Sequence, residues 1–131
     1  MENLKSVGIE YISNRRVMEG DAVMFDIDDT LIFVNKQPIF PIIELLYRAQ
    51  YLGYKIVIIT ARLGTEEIIK WTANELASFN ISYDYIGFTT PQTKSAMKRA
   101  LPYRFILSVG DMPTDLTDSQ HYINTSNFSH N

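Results

Sequence analysis

The sequence predicts an α/β protein: a doubly wound, mostly parallel sheet with helices on both faces. Three observations lead there. Short continuous runs of β-branched and aliphatic residues alternate with longer amphipathic stretches, the pattern of buried strands joined by crossover helices. Glycine, proline, threonine and aspartate punctuate the boundaries between the two kinds of segment. Acidic and hydroxyl residues gather where the apolar runs end, which in a parallel sheet is the edge where ligands bind.

The elements follow in order. The opening "MENLKSVGIEYISNRR" is expected to be an N-terminal extension, without an apolar stretch of signal-peptide length. "AVMFD", residues 22–26, is expected to form a first buried strand. "PIIELLYRAQYLG" is expected to be a helix, with Pro41 at its first position and Gly53 just past its end. Its Ile42, Leu45, Leu46, Ala49 and Leu52 fall on one face. "KIVIIT" is a second buried strand, and "TEEIIKWTANELASFN" a second helix. There Thr65 is placed to cap the N-terminus, with Glu66 and Glu67 favouring the helix dipole. "YDYIGFT" predicts a third strand, "TKSAMKRALP" a third helix and "RFILSVG" a fourth strand. In the polar tail "DSQHYINTSNFSHN", "HYIN" predicts a short edge strand.

Composition bounds the function. With 131 residues, one domain spanning 1–131 is expected, its motif-bearing core about 22–116, long enough to bury a hydrophobic core. Apolar and charged fractions of 46% and 21% are those of a globular protein. A net charge of -3 argues against general nucleic-acid binding. The absence of cysteine excludes disulfides and thiolate chemistry. No segment is apolar enough to span a membrane, so a cytoplasmic protein is expected.

The chemistry concentrates in a few residues. Asp26 ends the first predicted strand, Thr60 the second, and Asp111 follows the fourth through Gly110; Lys94 opens the third helix. A parallel sheet brings all four to one edge. Asp26 and Asp28 can face the same crevice, and neighbouring carboxylates repel unless one is protonated or both share a cation. Magnesium prefers oxygen ligands, and Asp26 and Asp111 are candidates to hold it. A carboxylate beside magnesium can attack phosphorus. The Thr60 hydroxyl and the Lys94 ammonium suit phosphoryl oxygens. Taken singly each has a plainer reading: Thr60 as a strand-end residue, Lys94 as a solvated lysine, Asp111 and Asp115 as helix caps. Their fixed order favours the chemical one.

In that order the sequence resembles the haloacid dehalogenase-like superfamily of phosphohydrolases. "FDIDDTL" matches its first motif, D-x-D-x-T; "VIIITAR" the second; Lys94 in "TPQTKSAMKRAL" the third; and "SVGDMPTDL" the fourth, G-D-x-x-x-D. The recurrence of "FDIDDT" and "ITAR" is most like the acid-phosphatase-like branch. The resemblance implies a magnesium-dependent phosphatase acting on a phosphate monoester. It implies Asp26 as nucleophile, forming an aspartyl phosphate, and Asp28 as general acid and base. Asp26, the Asp28 carbonyl and Asp111 are the implied magnesium ligands. Asp115 is implied either as a further ligand or as the residue that orients Lys94. Thr60, the Ala61 N–H and Lys94 are the implied phosphate grips. Thr30 is expected to brace the loop and Asp29 to support it, while Arg62, near the site by sequence, is expected to lie at the surface or to touch substrate.

Members of the superfamily often carry a cap domain. Only about thirty residues separate Asp26 from Thr60, and the loop before Lys94 is short, so neither gap holds a folded domain of about 50 residues. A capless protein is expected. Its flap "IFVNKQPIF", with Phe33, Asn35, Lys36 and Phe40, is then the local candidate for substrate contact, against a plain hairpin with Phe40 in the core. An open site calls for a large substrate, a neighbouring subunit as lid in a homo-oligomer, or broad and weak activity on small esters. Two other classes stay open: a receiver-like phospho-acceptor domain, whose phosphorylated aspartate would end the third strand, and a non-catalytic scaffold of the same fold.

Overall fold

The structure is a computed structural model describing residues 1–128; residues 129–131 of the polar tail lie outside it. Five strands, β1 (Asp21–Phe25), β2 (Lys55–Thr60), β3 (Tyr85–Phe88), β4 (Arg104–Gly110) and β5 (His121–Asn124), form one sheet. The strand order is β3-β2-β1-β4-β5 and every neighbouring pair is parallel. The helices are α1 (Glu2–Ile12), α2 (Phe40–Leu52), α3 (Glu66–Ser78) and α4 (Lys94–Ala100).

The chain steps outward from β1 to β2 and β3, then returns past β1 to β4 and β5. Right-handed crossovers therefore place α2 and α3 on one face and α4 on the other. The core follows this division. Val23, Phe25, Ile56, Ile58 and Val109 pack with Ile12 of α1, Leu45 of α2 and Leu76 of α3. Ala22, Met24, Val57, Ile59 and Phe105 face the other way, against Met97 of α4 and Leu101. The expectation of helices on both faces is met unequally, with three on one side and the short α4 on the other.

Local signals explain most boundaries. Pro41 sits in the first turn of α2, and Gly53 ends that helix at φ +100°, where a side chain would be strained. Thr65 caps α3 by accepting the Ile68 N–H at 3.2 Å. The predicted edge strand "HYIN" is β5, added parallel to β4.

Three expectations need correction. The N-terminal segment is not a plain extension: residues 2–12 form α1, which lays Leu4, Gly8 and Ile12 against the core. A side chain on Gly8 would run into Leu45, at 2.6 Å from its Cδ2, so glycine lets α1 and α2 approach closely. Of the two readings of Phe40, the placement in the core does not hold: it is 64% exposed, and the preceding Ile39, at 2%, fills that place. The third is Asp21, which the first strand includes, whereas Asp26 lies just beyond its end.

The thin face of the sheet is completed by an unusual residue. Between β4 and β5 no helix intervenes, only the segment 111–120 with a single 3-10 turn, Pro113–Asp115. Its main-chain carbonyls lie against the sheet and need donors. Lys98, 2% exposed, supplies them, donating to Asp115 O at 2.6 Å, Thr117 O at 2.7 Å and Ser108 Oγ at 2.9 Å. Burial pushes its ammonium down to about 8 against the pull of Asp118 and Asp115, which leaves it charged at neutral pH. Among the described residues no helix is long and apolar enough to cross a membrane.

Candidate functional site

Phe25 pairs with Ile58 of β2 on one side and Val109 of β4 on the other. The next residue, Asp26, therefore emerges between the carboxyl ends of the two strands that flank β1. This is where the strand order turns back, the crevice in which such sheets bind ligands. The Asp26 N–H donates to Val109 O at 3.0 Å, which fixes the exit of the chain, and the residue is 6% exposed.

Lys94, the first residue of α4, reaches this crevice from the opposite side of the crossover. Its Nζ donates to Asp26 Oδ1 at 2.9 Å and to Asp115 Oδ1 at 2.5 Å, and its side chain is 3% exposed. Asp115 uses its other oxygen, Oδ2, to accept the Met112 N–H at 3.1 Å. Asp111 completes the group: one oxygen from each of Asp26, Asp111 and Asp115 lies within 4.8 Å of the others. Thr114 Oγ1, beside Asp115 in the chain, is buried without a hydrogen-bond partner among the described residues.

The charges do not balance. Three carboxylates face one ammonium, and only the half-buried Asp111 is within reach of water to screen the excess. Burial, together with the charge of Asp115 and the neighbouring Asp111, pushes Asp26 well above the ordinary carboxylate range despite the pull of Lys94. Burial and the Asp115 charge raise Asp111 too. Burial alone would lower Lys94, but Asp26 and Asp115 outweigh it and hold the ammonium charged.

The other end of β1 offers a contrast. Asp21 is as buried as Asp26, at 1% exposure. Burial would raise it, but the Met18 N–H at 2.9 Å, Arg104 at 2.7 Å and Arg15 at 3.0 Å more than compensate, and its pKa falls. A buried aspartate that only holds the fold is neutralised in this way. The cluster at the carboxyl end lacks that neutralisation, and its all-oxygen donor set suits a hard divalent cation. Two further positive charges would balance it. The buried acidic cluster is thus able to hold a metal ion.

The fourth motif has a steric basis as well. A Cβ on Gly110 would stand 2.6 Å from Asp115 Cγ, so only glycine allows that carboxylate to fold back over the end of β4. Gly110→Ala is expected to displace Asp115 and to destabilise the protein by about 1–3 kcal/mol, the usual cost of overpacking. Urea denaturation checks this, and an unchanged midpoint would show that the turn accommodates the methyl group.

Thr60 ends β2, fully buried, with Ala61 exposed beside it. Its Oγ1 accepts the Arg62 N–H at 3.1 Å, which leaves the hydroxyl hydrogen available to donate. Thr30 is buried and its Oγ1 lies 3.4 Å from Thr125 Oγ1, which also donates to Asp29 O at 2.9 Å. These contacts tie the loop after β1 to the end of β5. Asp29 itself adopts φ +60° and serves the loop, its N–H bonding Ile32 O at 2.7 Å.

Asp28 has a partner that the sequence did not foretell. Its carboxylate stands outside the acidic cluster and is held by Arg62 in a two-pronged contact, Nε to Oδ2 at 3.1 Å and Nη2 to Oδ1 at 2.8 Å. With its carboxylate held there, the main-chain carbonyl is what Asp28 keeps free of Arg62. Arg62 is not a surface residue: its side chain is 9% exposed and its Nη1 donates to Glu75 at 2.8 Å and to Thr72 at 3.1 Å, both on α3. Its guanidinium also lies 5.1 Å from the centre of the Trp71 ring, over which Lys36 of the flap places its ammonium at 4.5 Å. The flap is a small hairpin, Ile32 bridging Pro38, with Val34 exposed near its tip. Sequence reasoning missed this chain of contacts from flap to Asp28. Thr72 and Glu75, three apart on one helix face, were its only signal.

No protein-family model matches the chain, and no curated protein matches it. Among solved structures the chain is similar to one described as "Structure of Pnkp1/Rnl/Hen1 complex", with a TM-score of 0.67 and 18% identity. The similarity covers 79% of this chain and 43% of that one. At such identity the likeness speaks for the α/β fold.

Proposed function

We propose that the chain is a magnesium-dependent phosphatase of the haloacid dehalogenase-like type, hydrolysing a phosphate monoester through an aspartyl phosphate on Asp26. The observation that carries this reading is the uncompensated cluster of Asp26, Asp111 and Asp115 around Lys94, at the switch point of the sheet.

Each residue then has a step. Asp26 Oδ attacks phosphorus as the bond to the leaving oxygen breaks. Lys94 and the Thr60 hydroxyl hold the phosphoryl oxygens, with the Ala61 N–H beside them, and they stabilise charge as it develops. Asp28 protonates the leaving oxygen, and afterwards takes a proton from the water that opens the acyl phosphate. Both of its oxygens accept from the Arg62 fork, and each keeps a second lone pair for the proton that is transferred. Asp26, Asp111 and Asp115, with the Asp28 carbonyl, would hold magnesium. When bound it supplies positive charge to the phosphoryl oxygens and lets Asp26 ionise.

A receiver-like role finds no support in the placement of the acids: β3 ends at Phe88 and is followed by Thr89 and Thr90. A scaffold without activity is separated by assay. Hydrolysis of p-nitrophenyl phosphate is expected to vanish with a chelator and to return with added magnesium. Full activity in excess chelator would overturn the metal assignment. No turnover of a panel of phosphate esters by folded, magnesium-loaded protein would overturn the enzyme reading.

Leu63 and Met112, close in sequence to Thr60 and Asp111, are 72% and 50% exposed, and no cap domain is expected over the site. The same reading therefore includes either a second copy of the chain near the flap or broad, slow hydrolysis of small esters. Light scattering together with the ester panel distinguishes them.

A further inference from the structure

We propose that Lys98 is a positioning residue: it anchors the segment 111–120 through three hydrogen bonds so that Asp115 meets Lys94 and Asp26. Lys94 and Lys98 are four residues apart on α4, one turn of helix, and so share a face. Both end on Asp115. Lys94 takes its carboxylate at Oδ1, while Lys98 takes its main-chain oxygen at 2.6 Å. Asp115 is thereby fixed at two points by one rigid element.

The remaining donors of Lys98 reach Thr117 O at 2.7 Å and Ser108 Oγ at 2.9 Å, and Ser108 in turn contacts Ser119 Oγ at 2.6 Å. The ammonium thus ties β4 to both halves of the segment that a crossover helix would otherwise occupy. An ammonium has three hydrogens and no acceptor, and here it meets three oxygens. An apolar side chain would fill the space but strand those oxygens away from water. Chemistry rather than packing accounts for a lysine here. The bearing on catalysis rests on the phosphatase reading, whereas the anchoring does not.

Amide hydrogen exchange on metal-free protein tests this. The N–H groups of Asp115, Leu116 and Gln120 bond to Met112 O, Pro113 O and Phe105 O and report on the segment directly. In Lys98→Met they are expected to exchange about tenfold faster or more, while the amides of β1 and β2 hold their protection. Lys98→Gln, which retains part of the donor set, is expected to give a smaller increase and serves if the methionine variant does not fold. Leu76→Ala, a core change on the other face, is expected to speed exchange throughout without singling out the segment.

Calorimetric titration with magnesium adds a second readout, an affinity about tenfold weaker in Lys98→Met than in the wild type. Unchanged protection at Asp115, Leu116 and Gln120, or a loss spread evenly over β1 and β2, would overturn the assignment. A wild-type protein that binds no magnesium would count against the phosphatase reading, and the exchange pattern would still decide the role of Lys98.

Discussion

Replacing Asp26 by asparagine is expected to abolish hydrolysis of p-nitrophenyl phosphate and, without metal, to stabilise the fold. The amide keeps the shape of the side chain but is a far weaker nucleophile, so turnover should fall by about 10⁴-fold or more. The gain in stability follows from the charge imbalance. One buried carboxylate fewer shares Lys94, and relief of about 1–3 kcal/mol is expected near neutral pH. The pH dependence has a definite sign. Burial and Asp115 raise Asp26 in the folded state above its ordinary 3.8. Between those two values the folded chain binds the proton that the unfolded chain has released. Wild-type stability is therefore lost as pH rises from about 3.8 through the raised value. The variant lacks that loss, so its advantage should grow across the same window. Urea denaturation in chelator over a pH series measures it. A variant with wild-type rates, or one less stable at every pH, would show that Asp26 has been given the wrong role.

Replacing Lys94 by alanine should move stability the other way. It removes the ammonium that bonds both Asp26 and Asp115 from a side chain only 3% exposed. Breaking a buried pair by deleting one partner costs about 3–5 kcal/mol, because the other charges are left uncompensated. Saturating magnesium should recover part of that loss, since a cation in the cluster replaces the missing charge. Catalysis should stay impaired even then, by about 2–4 kcal/mol in the barrier, the usual worth of a fixed group on a developing charge. Denaturation with and without magnesium, alongside rates at saturating ester, separates the two effects. Equal destabilisation in both conditions would mean that Lys94 and the metal site are uncoupled.

The strands were the legible part of this fold. "KIVIIT" and "RFILSVG" are β2 and β4 to the residue, because strands buried on both faces read as nearly continuous apolar runs. The parallel topology then carried Asp26, Thr60, Lys94 and Asp111 to one edge without any knowledge of side-chain geometry, and the fourth motif added Asp115. What escaped depends on distance in sequence. The Arg62 fork closes on a residue 34 positions earlier, and no local spacing encodes such a pairing. Helix α1 was obscured because its buried stripe, Leu4, Gly8 and Ile12, has a glycine at its centre, and glycine weakens both propensity and hydrophobic pattern. Nothing in the sequence singled out Lys98. Only the missing helix between β4 and β5 explains why a charge is wanted beneath that segment.

The order of the strands also sets the order of assembly. β1 lies at the centre of the sheet, with β2 on one flank and β4 on the other, but Lys94 follows Asp26 by 68 residues. At about 5–20 residues per second a ribosome needs about 3–14 s to supply that stretch. During that interval α1, α2 and α3 can already cover one face of β1 and β2. Ala22, Met24, Val57 and Ile59 on the other face still await α4 and Phe105. The nascent chain therefore carries a bare apolar surface and an open flank of β1 just when Asp26 has no counter-charge. Premature association is most dangerous there, and the acidic cluster comes together only as that surface disappears.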